Sequence, residues 1–230
     1  MRRVLSAIVV GAVVTATASA QDDDYTAPRN AELDARGARS LRVEAKAGTL
    51  RIEGRPGTSE VRVRGTARAS RENWLQDIQL RAERRGEELE VIVDIPSWSS
   101  TGTGREYKGL DLVIEVPPSL ALDVVDGSGA IEMRGVGPVR LRDGSGEIEI
   151  HDVAGTVDIG DGSGEVVLRN VRGDVRIEDG SGEMHIEDVQ GNVDIADDGS
   201  GSLTIARVLD RSFLETAPFG TSRSGSTLQK

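Results

Sequence analysis

Apolar and polar residues alternate with a period of two along most of the chain, and from Ile148 onward the alternation recurs as a unit. Ile148, Ile150, Val153, Val157 and Ile159 are followed at the same spacing by Val166, Leu168, Val171, Val175 and Ile177, then by Met184, Ile186, Val189, Val193 and Ile195. Such patterning predicts short, half-buried strands, two to each unit. One turn between them is the tetrapeptide Asp-Gly-Ser-Gly, whose five copies begin at Asp126, Asp143, Asp161, Asp179 and Asp198, so the steps are 17, 18, 18 and 19 residues. The other turn centres on Gly155, Gly173 and Gly191. A fixed period near 20 residues marks a stacked-repeat architecture. Ordering one unit costs more backbone entropy than burying five aliphatic side chains returns, so the units must share core and strand hydrogen bonds with their neighbours.

Two arrangements accommodate a two-strand repeat. One is a parallel solenoid; the other is an antiparallel meander with Asp-Gly-Ser-Gly as hairpin loops. Arg140, Asp158, Arg176 and Asp194 are equivalent positions that alternate in sign. In a solenoid they stack about 4.8 Å apart, whereas a meander places a strand between them. The alternation favours the solenoid. The expected fold is all-β: a parallel β-solenoid (β-helix) of two-strand coils of about 18 residues, regular over 126–208. A less regular, strand-rich half precedes it from residue 40.

In that half, strands are expected at 41–45, 50–52 and 61–64, a helical turn carries Trp74 and Leu75, and 78–83 with 89–95 form a hairpin. Residues 96–108 are rich in Ser, Thr and Gly and read as a mobile loop; 110–116 and 120–125 lead into the repeats. The flanks read differently. Residues 1–20 have Arg2 and Arg3, an apolar run and Ala18-Ser19-Ala20, which is the pattern of a secretory signal peptide. Residues 21–39 read as a flexible acidic leader. After Val208 the alternation stops, and 209–230 are expected to hold a cap built on Phe213, Leu214 and Phe219, then disorder.

Removing the signal leaves 26 basic against 39 acidic residues, net −13. That excludes a generic nucleic-acid footprint and disfavours anionic surfaces. The chain has no Cys and no second hydrophobic span, so disulfides, thiolate metal sites, lipid attachment and a transmembrane segment after signal removal are not expected. Export is the expectation, to the periplasm, the cell surface or the medium.

These features together carry a resemblance. Val116-Pro-Pro-Ser-Leu120 before Leu122-Asp-Val-Val-Asp-Gly-Ser-Gly129, followed by repeated Gly-x-φ-x-φ units (φ, an aliphatic residue), resembles the bacterial putative-adhesin domain family of unknown function. The likeness covers about residues 40–208. It implies a parallel β-solenoid, export and an adhesin-like role, and it offers no catalytic residues to carry over.

Candidate chemistry is sparse. Asp126, Asp143, Asp161, Asp179 and Asp198 would line one edge with their serines, an oxygen-rich ladder of the kind calcium takes. Carboxylates about 4.8 Å apart repel by only about 1 kcal/mol in water, so turn formation suffices and no metal is expected. His151 and His185 occupy different columns and imply no metal pair. Arg172-Gly173-Asp174 is one variant of the x-Gly-x turn. No Phe, Trp or Tyr lies between Asp126 and Gly201, which argues against sugar stacking or a pocket there. Trp98 and Tyr107 flank the 96–108 loop, the place where ligand contact is expected. The expected function is a non-enzymatic binding or scaffold module without cofactor, its partner a protein or cell-surface component. A polysaccharide-active enzyme and a purely structural envelope protein are the alternatives.

Overall fold

A computed structural model describes residues 25–96, 106–209 and 213–215. The positions read above as signal, loop and tail that fall outside these ranges, Trp98 and Phe219 among them, lie outside the described residues. The described chain is all-β, with a single 3-10 turn at Glu72–Asp77. In chain order the strands are β1 (Tyr25–Asp34), β2 (Ser40–Glu44), β3 (Leu50–Gly54), β4 (Glu60–Ala69), β5 (Gln79–Arg85), β6 (Glu88–Asp94), β7 (Lys108–Val116), β8 (Ala121–Val125) and β9 (Ile131–Arg134). They continue as β10 (Val139–Asp143), β11 (Ile148–Val153), β12 (Val157–Asp161), β13 (Gly164–Val171), β14 (Val175–Asp179), β15 (Gly182–Val189), β16 (Val193–Asp198), β17 (Gly201–Val208) and β18 (Phe213–Glu215). Two nine-stranded sheets result, ordered β1-β4-β7-β3-β9-β11-β13-β15-β17 and β18-β16-β14-β12-β10-β8-β2-β6-β5.

From β8 onward every pairing is parallel; β8 and β9 join back to β2 and β3, and every other pairing joins strands one repeat apart. The Asp-Gly-Ser-Gly segments therefore carry the chain from one sheet to the other and close no hairpins. Equivalent residues sit in register, as in Val139–Val157–Val175–Val193 and Ile148–Val166–Met184. Their side chains, with those of Leu141, Ile159, Leu168 and Ile186, belong to one continuous core between the sheets. Arg140, Asp158, Arg176 and Asp194 form the expected column, with ion pairs of 3.4 Å (Arg140–Asp158) and 2.7 Å (Arg176–Asp194).

The close stacking explains the last glycine of each tetrapeptide. Gly129, Gly146, Gly164, Gly182 and Gly201 have φ between 137° and 159°. A Cβ on any of them would lie 1.5–1.8 Å from the carbonyl oxygen of the glycine one repeat earlier. For Gly129 that earlier glycine is Gly48. Ala45-Lys46-Ala47-Gly48 is thus a first copy of the same turn, bridged at Ala47–Ser128, with Ala45 in place of the Asp.

A second column lies inside the strands of the other sheet. Inward residues step by two from Ile148 to Ile150 but by three to Val153, and all three are buried. The extra residue is left-handed: Gly135, Asp152, Asn170, Asp188 and Arg207 have φ of 67°, 60°, 57°, 57° and 54°. Neighbouring side chains tie this column, Asn170 Nδ2 donating to Asp152 Oδ1 at 2.6 Å and Arg207 Nε to Asp188 Oδ1 at 2.5 Å.

The N-terminal half departs from expectation in one place. Residues 25–34, expected within a flexible leader, form β1, antiparallel to β4, which is itself antiparallel to β7. Ala27 is buried, and Ala31 and Leu33 pack against the core. Arg29 also faces inward, donating from Nε to the Ile78 carbonyl at 2.8 Å and from a terminal nitrogen to the Leu75 carbonyl at 2.6 Å. It thereby satisfies carbonyls at the end of the 3-10 turn. At the other end, the backbone of β18 pairs with β16.

Candidate functional site

The sequence singles out Tyr107, and the structure places it beside a cleft of about 370 Å³ where the repeat stack meets the β4–β7 arm. Thr49 and Gly48 form one side, leaving the first repeat-like turn; Arg68 of β4 and Lys108 and Asp111 of β7 form the other. The walls are tied to each other. Thr49 donates from both its backbone N–H and its hydroxyl to Asp111 Oδ1, at 2.9 and 3.1 Å. Asp111 Oδ2 meets Arg68 Nε at 2.8 Å. The Tyr107 N–H donates to Ser70 Oγ at 3.2 Å, fixing the backbone where the chain enters β7.

Behind Tyr107 lies a cluster of aromatic and charged groups that composition alone does not reveal. The ammonium of Lys108 and the guanidinium of Arg71 each stand 4.8 Å from the Trp74 ring centroid. Lys108 Nζ pairs with Asp77 Oδ2 at 2.5 Å, and Arg71 pairs with Glu106. Trp74, carried by the expected helical turn, is partly buried against the core. It gains cation–π attraction as well. A second groove, of about 590 Å³, lies on the same sheet, with Arg51, Glu53, Arg64 and Glu132 among its lining residues. Within it Arg51 pairs with Glu132 and Arg55 with Glu53, while Arg64 pairs with Glu115 outside the lining.

The Asp ladder is in register but not where a solvated turn would put it. Asp126, Asp143, Asp161 and Asp179 are 6, 8, 7 and 2 % exposed. The strand period explains the correction: in β12, Val157, Ile159 and Asp161 share the inward face, and their burial alternates with Asp158 and Gly160. Burial therefore raises the carboxyls of Asp126, Asp143 and Asp161. Asp126 is pushed up to about 6, chiefly by desolvation and further by Asp143. Asp161 also reaches about 6, by desolvation and then by its neighbours Asp143 and Asp179. Asp143 is raised by desolvation. Asp198 follows Asp179 in register. Among the described residues, no group of three or more His, Cys, Asp or Glu side chains is arranged to hold a metal ion.

The remaining candidates separate. His151 aligns with Arg169, and His185 with Val167, so the two histidines stand in different columns. Each contacts the carboxylate two residues before it, His151 with Glu149 at 2.5 Å and His185 with Glu183 at 3.1 Å. The His151 contact holds the Glu149 carboxyl below its ordinary value. Arg172 and Asp174 are exposed, and Asp174 Oδ1 accepts from the Asn192 backbone at 2.8 Å, as part of the stacked turn.

No family model matches the chain, and no curated protein matches it. Among solved structures it is similar to a putative cell adhesion protein from Clostridium sporogenes, with 14 % identity, a TM-score of 0.42, and coverage of 78 % of this chain and 99 % of that one. It is also similar to a putative lipid binding protein from Parabacteroides distasonis, with 13 % identity, a TM-score of 0.38, and coverage of 81 % and 95 %. No helix among the described residues is long and apolar enough to cross a membrane.

Proposed function

We propose that the chain is an exported, non-enzymatic β-solenoid, adhesin-like in build, that acts as a binding or scaffold module of the cell envelope or surface. The parallel, in-register pairing of successive repeats supports the solenoid reading. The observation that carries the functional reading is how the outer faces dispose of their charge. Arg140–Asp158, Arg176–Asp194 and Arg169–Glu187 pair along columns, so charge on these outer faces is matched strand to strand. Such faces make a stiff spacer. The aromatic-bordered cleft at Tyr107 stands where the spacer meets the antiparallel arm, and it is the position from which a partner would be held.

The test is a binding measurement on envelope fractions of the source cells. Labelled protein should bind one fraction saturably, and Tyr107→Ala with Arg68→Glu should weaken that binding at least tenfold without altering the circular dichroism spectrum. Saturable binding unchanged in that variant would move the site elsewhere. Absence of saturable binding would favour a purely structural role, and release of reducing sugar from an envelope polysaccharide would make it an enzyme. Protease treatment of intact cells distinguishes surface display, in which the chain is cut, from the periplasm, in which it is protected.

A further inference from the structure

The stack holds a column of carboxyl groups that its own hydrogen bonding leaves partly unsatisfied; at one rung, Asp179 Oδ1 accepts from the Ser181 backbone N–H at 3.1 Å. Asp143 and Asp161 are each more than nine-tenths buried, and all four of their carboxyl oxygens lack a hydrogen-bond partner. One oxygen of Asp126 is in the same condition. Backbone N–H groups lie nearby, those of Gly144 and Ser145 at Asp143 and of Gly162 and Ser163 at Asp161. They temper the rise of these carboxyls without reaching hydrogen-bonding geometry. A buried carboxylate without donors is costly, and several in one file are costlier.

Among the described residues, no cation acts on Asp126, Asp143 or Asp161. The inward residues that follow each turn are Ile131, Ile148, Val166 and Met184, all buried and apolar. The titratable residues nearest in sequence lie on the solvent side. They are Arg142 and Glu178 on the ladder's own strands, Glu147, Glu165 and Glu183 on the facing sheet, and Lys46 in the first turn. The charged groups acting on Asp161 are Asp143 and Asp179, its own rungs, and both disfavour its ionisation.

We infer that Asp126, Asp143, Asp161 and Asp179 form a buried proton-binding column, in which the protonated carboxyl of one rung donates to a carboxylate oxygen of the next. Parallel strands stand about 4.8 Å apart, a spacing that carboxyl oxygens inclined toward each other close to hydrogen-bond length. Each proton taken from solvent neutralises one carboxylate and satisfies two oxygens, one as donor and one as acceptor. The column thus behaves as a coupled set that releases its protons in steps. Ala45, which holds the Asp position in the first turn, ends the file on that side.

The folded carboxyls at Asp126 and Asp161 titrate near 6, against 3.8 for an unperturbed group. The folded state therefore binds protons that the unfolded chain has released. This stabilisation is complete below about 3.8 and is lost as pH rises through about 6.

The experiment is a carboxyl-carbon NMR titration of the full chain labelled at aspartate, with thermal unfolding measured alongside from about pH 4.5 to about pH 7.5. At least two aspartate signals should titrate near 6. The unfolding temperature should fall across that window in the wild type and stay flat in a variant carrying Asp126→Asn, Asp143→Asn, Asp161→Asn and Asp179→Asn. If that variant does not fold, Asp143→Asn alone should shift the Asp126 and Asp161 titrations downward. Titration of every aspartate near 3.8 would overturn the inference. So would an unfolding temperature raised by millimolar calcium at about pH 7.5 in the wild type only, which would place a cation in the column.

Discussion

Lys108 is 5 % exposed, and its ammonium lies 2.5 Å from Asp77 Oδ2, so the residue that opens β7 is tied to the end of the 3-10 turn. The same ammonium stands over Trp74. Removing only the acid leaves a buried cation without its carboxylate, a loss larger than that of the pair as a whole. Asp77→Ala should cost about 1–3 kcal/mol, the lower end reflecting the partial exposure of the carboxylate. Lys108→Met combined with Asp77→Leu should recover most of it. Urea unfolding of the two variants reads the difference.

Two glycines with positive φ should respond very differently to alanine. At Gly164, φ is 151° and an added Cβ would sit 1.6 Å from the Gly146 carbonyl oxygen. Gly164→Ala must push adjacent repeats apart, and we expect a loss of about 3 kcal/mol or more. At Gly57, φ is 84° and an added Cβ meets nothing within 4 Å. There the cost is backbone strain alone, about 1–2 kcal/mol. Equal losses in a denaturant series would contradict the stacking.

The left-handed column makes a prediction about residue type. Asn tolerates that conformation, whereas a β-branched residue does not. Asn170→Val should cost about 1–2 kcal/mol and Asn170→Gly only a few tenths. Thermal unfolding at constant pH checks the order, and a stable valine variant would refute it.

Reversing one sign in the Arg140–Asp158–Arg176 column tests the register directly. Asp158→Arg would stack three arginines on adjacent strands. The urea midpoint should fall at low salt and recover at about 1 M salt, where screening acts within about 3 Å. A midpoint unaffected by salt would mean that the three side chains do not share a column.

How much of this was legible depended on parity. The repeat strands were readable because Val157 and Ile159, or Ile148 and Ile150, keep a strict step of two. The same parity, carried one residue pair further, puts Asp161 inside. Treating Asp-Gly-Ser-Gly as a solvated turn overlooked that its Asp is still strand. The left-handed column left a trace in the step of three from Ile150 to Val153, but its occupants Asp152, Asn170, Asp188 and Arg207 share no single chemistry. The β1 strand was hidden because Arg29 occupies an inward position, so the alternation looked broken. The partner of Arg29, the 3-10 turn, is distant in sequence and visible only once folded. The cleft beside Tyr107 was half legible: the aromatic stood out, while Thr49, Arg68 and Asp111 come from three separate segments with no common motif.

Because Ala45-Lys46-Ala47-Gly48 and the five Asp-Gly-Ser-Gly copies occupy one column, the fold has a natural unit of length. Duplicating one repeat, such as residues 161–178, would extend each sheet by a strand and the molecule by about 4.8 Å, with both ends untouched. Distance between the cleft and the far end of the described strands is thereby written in whole repeats.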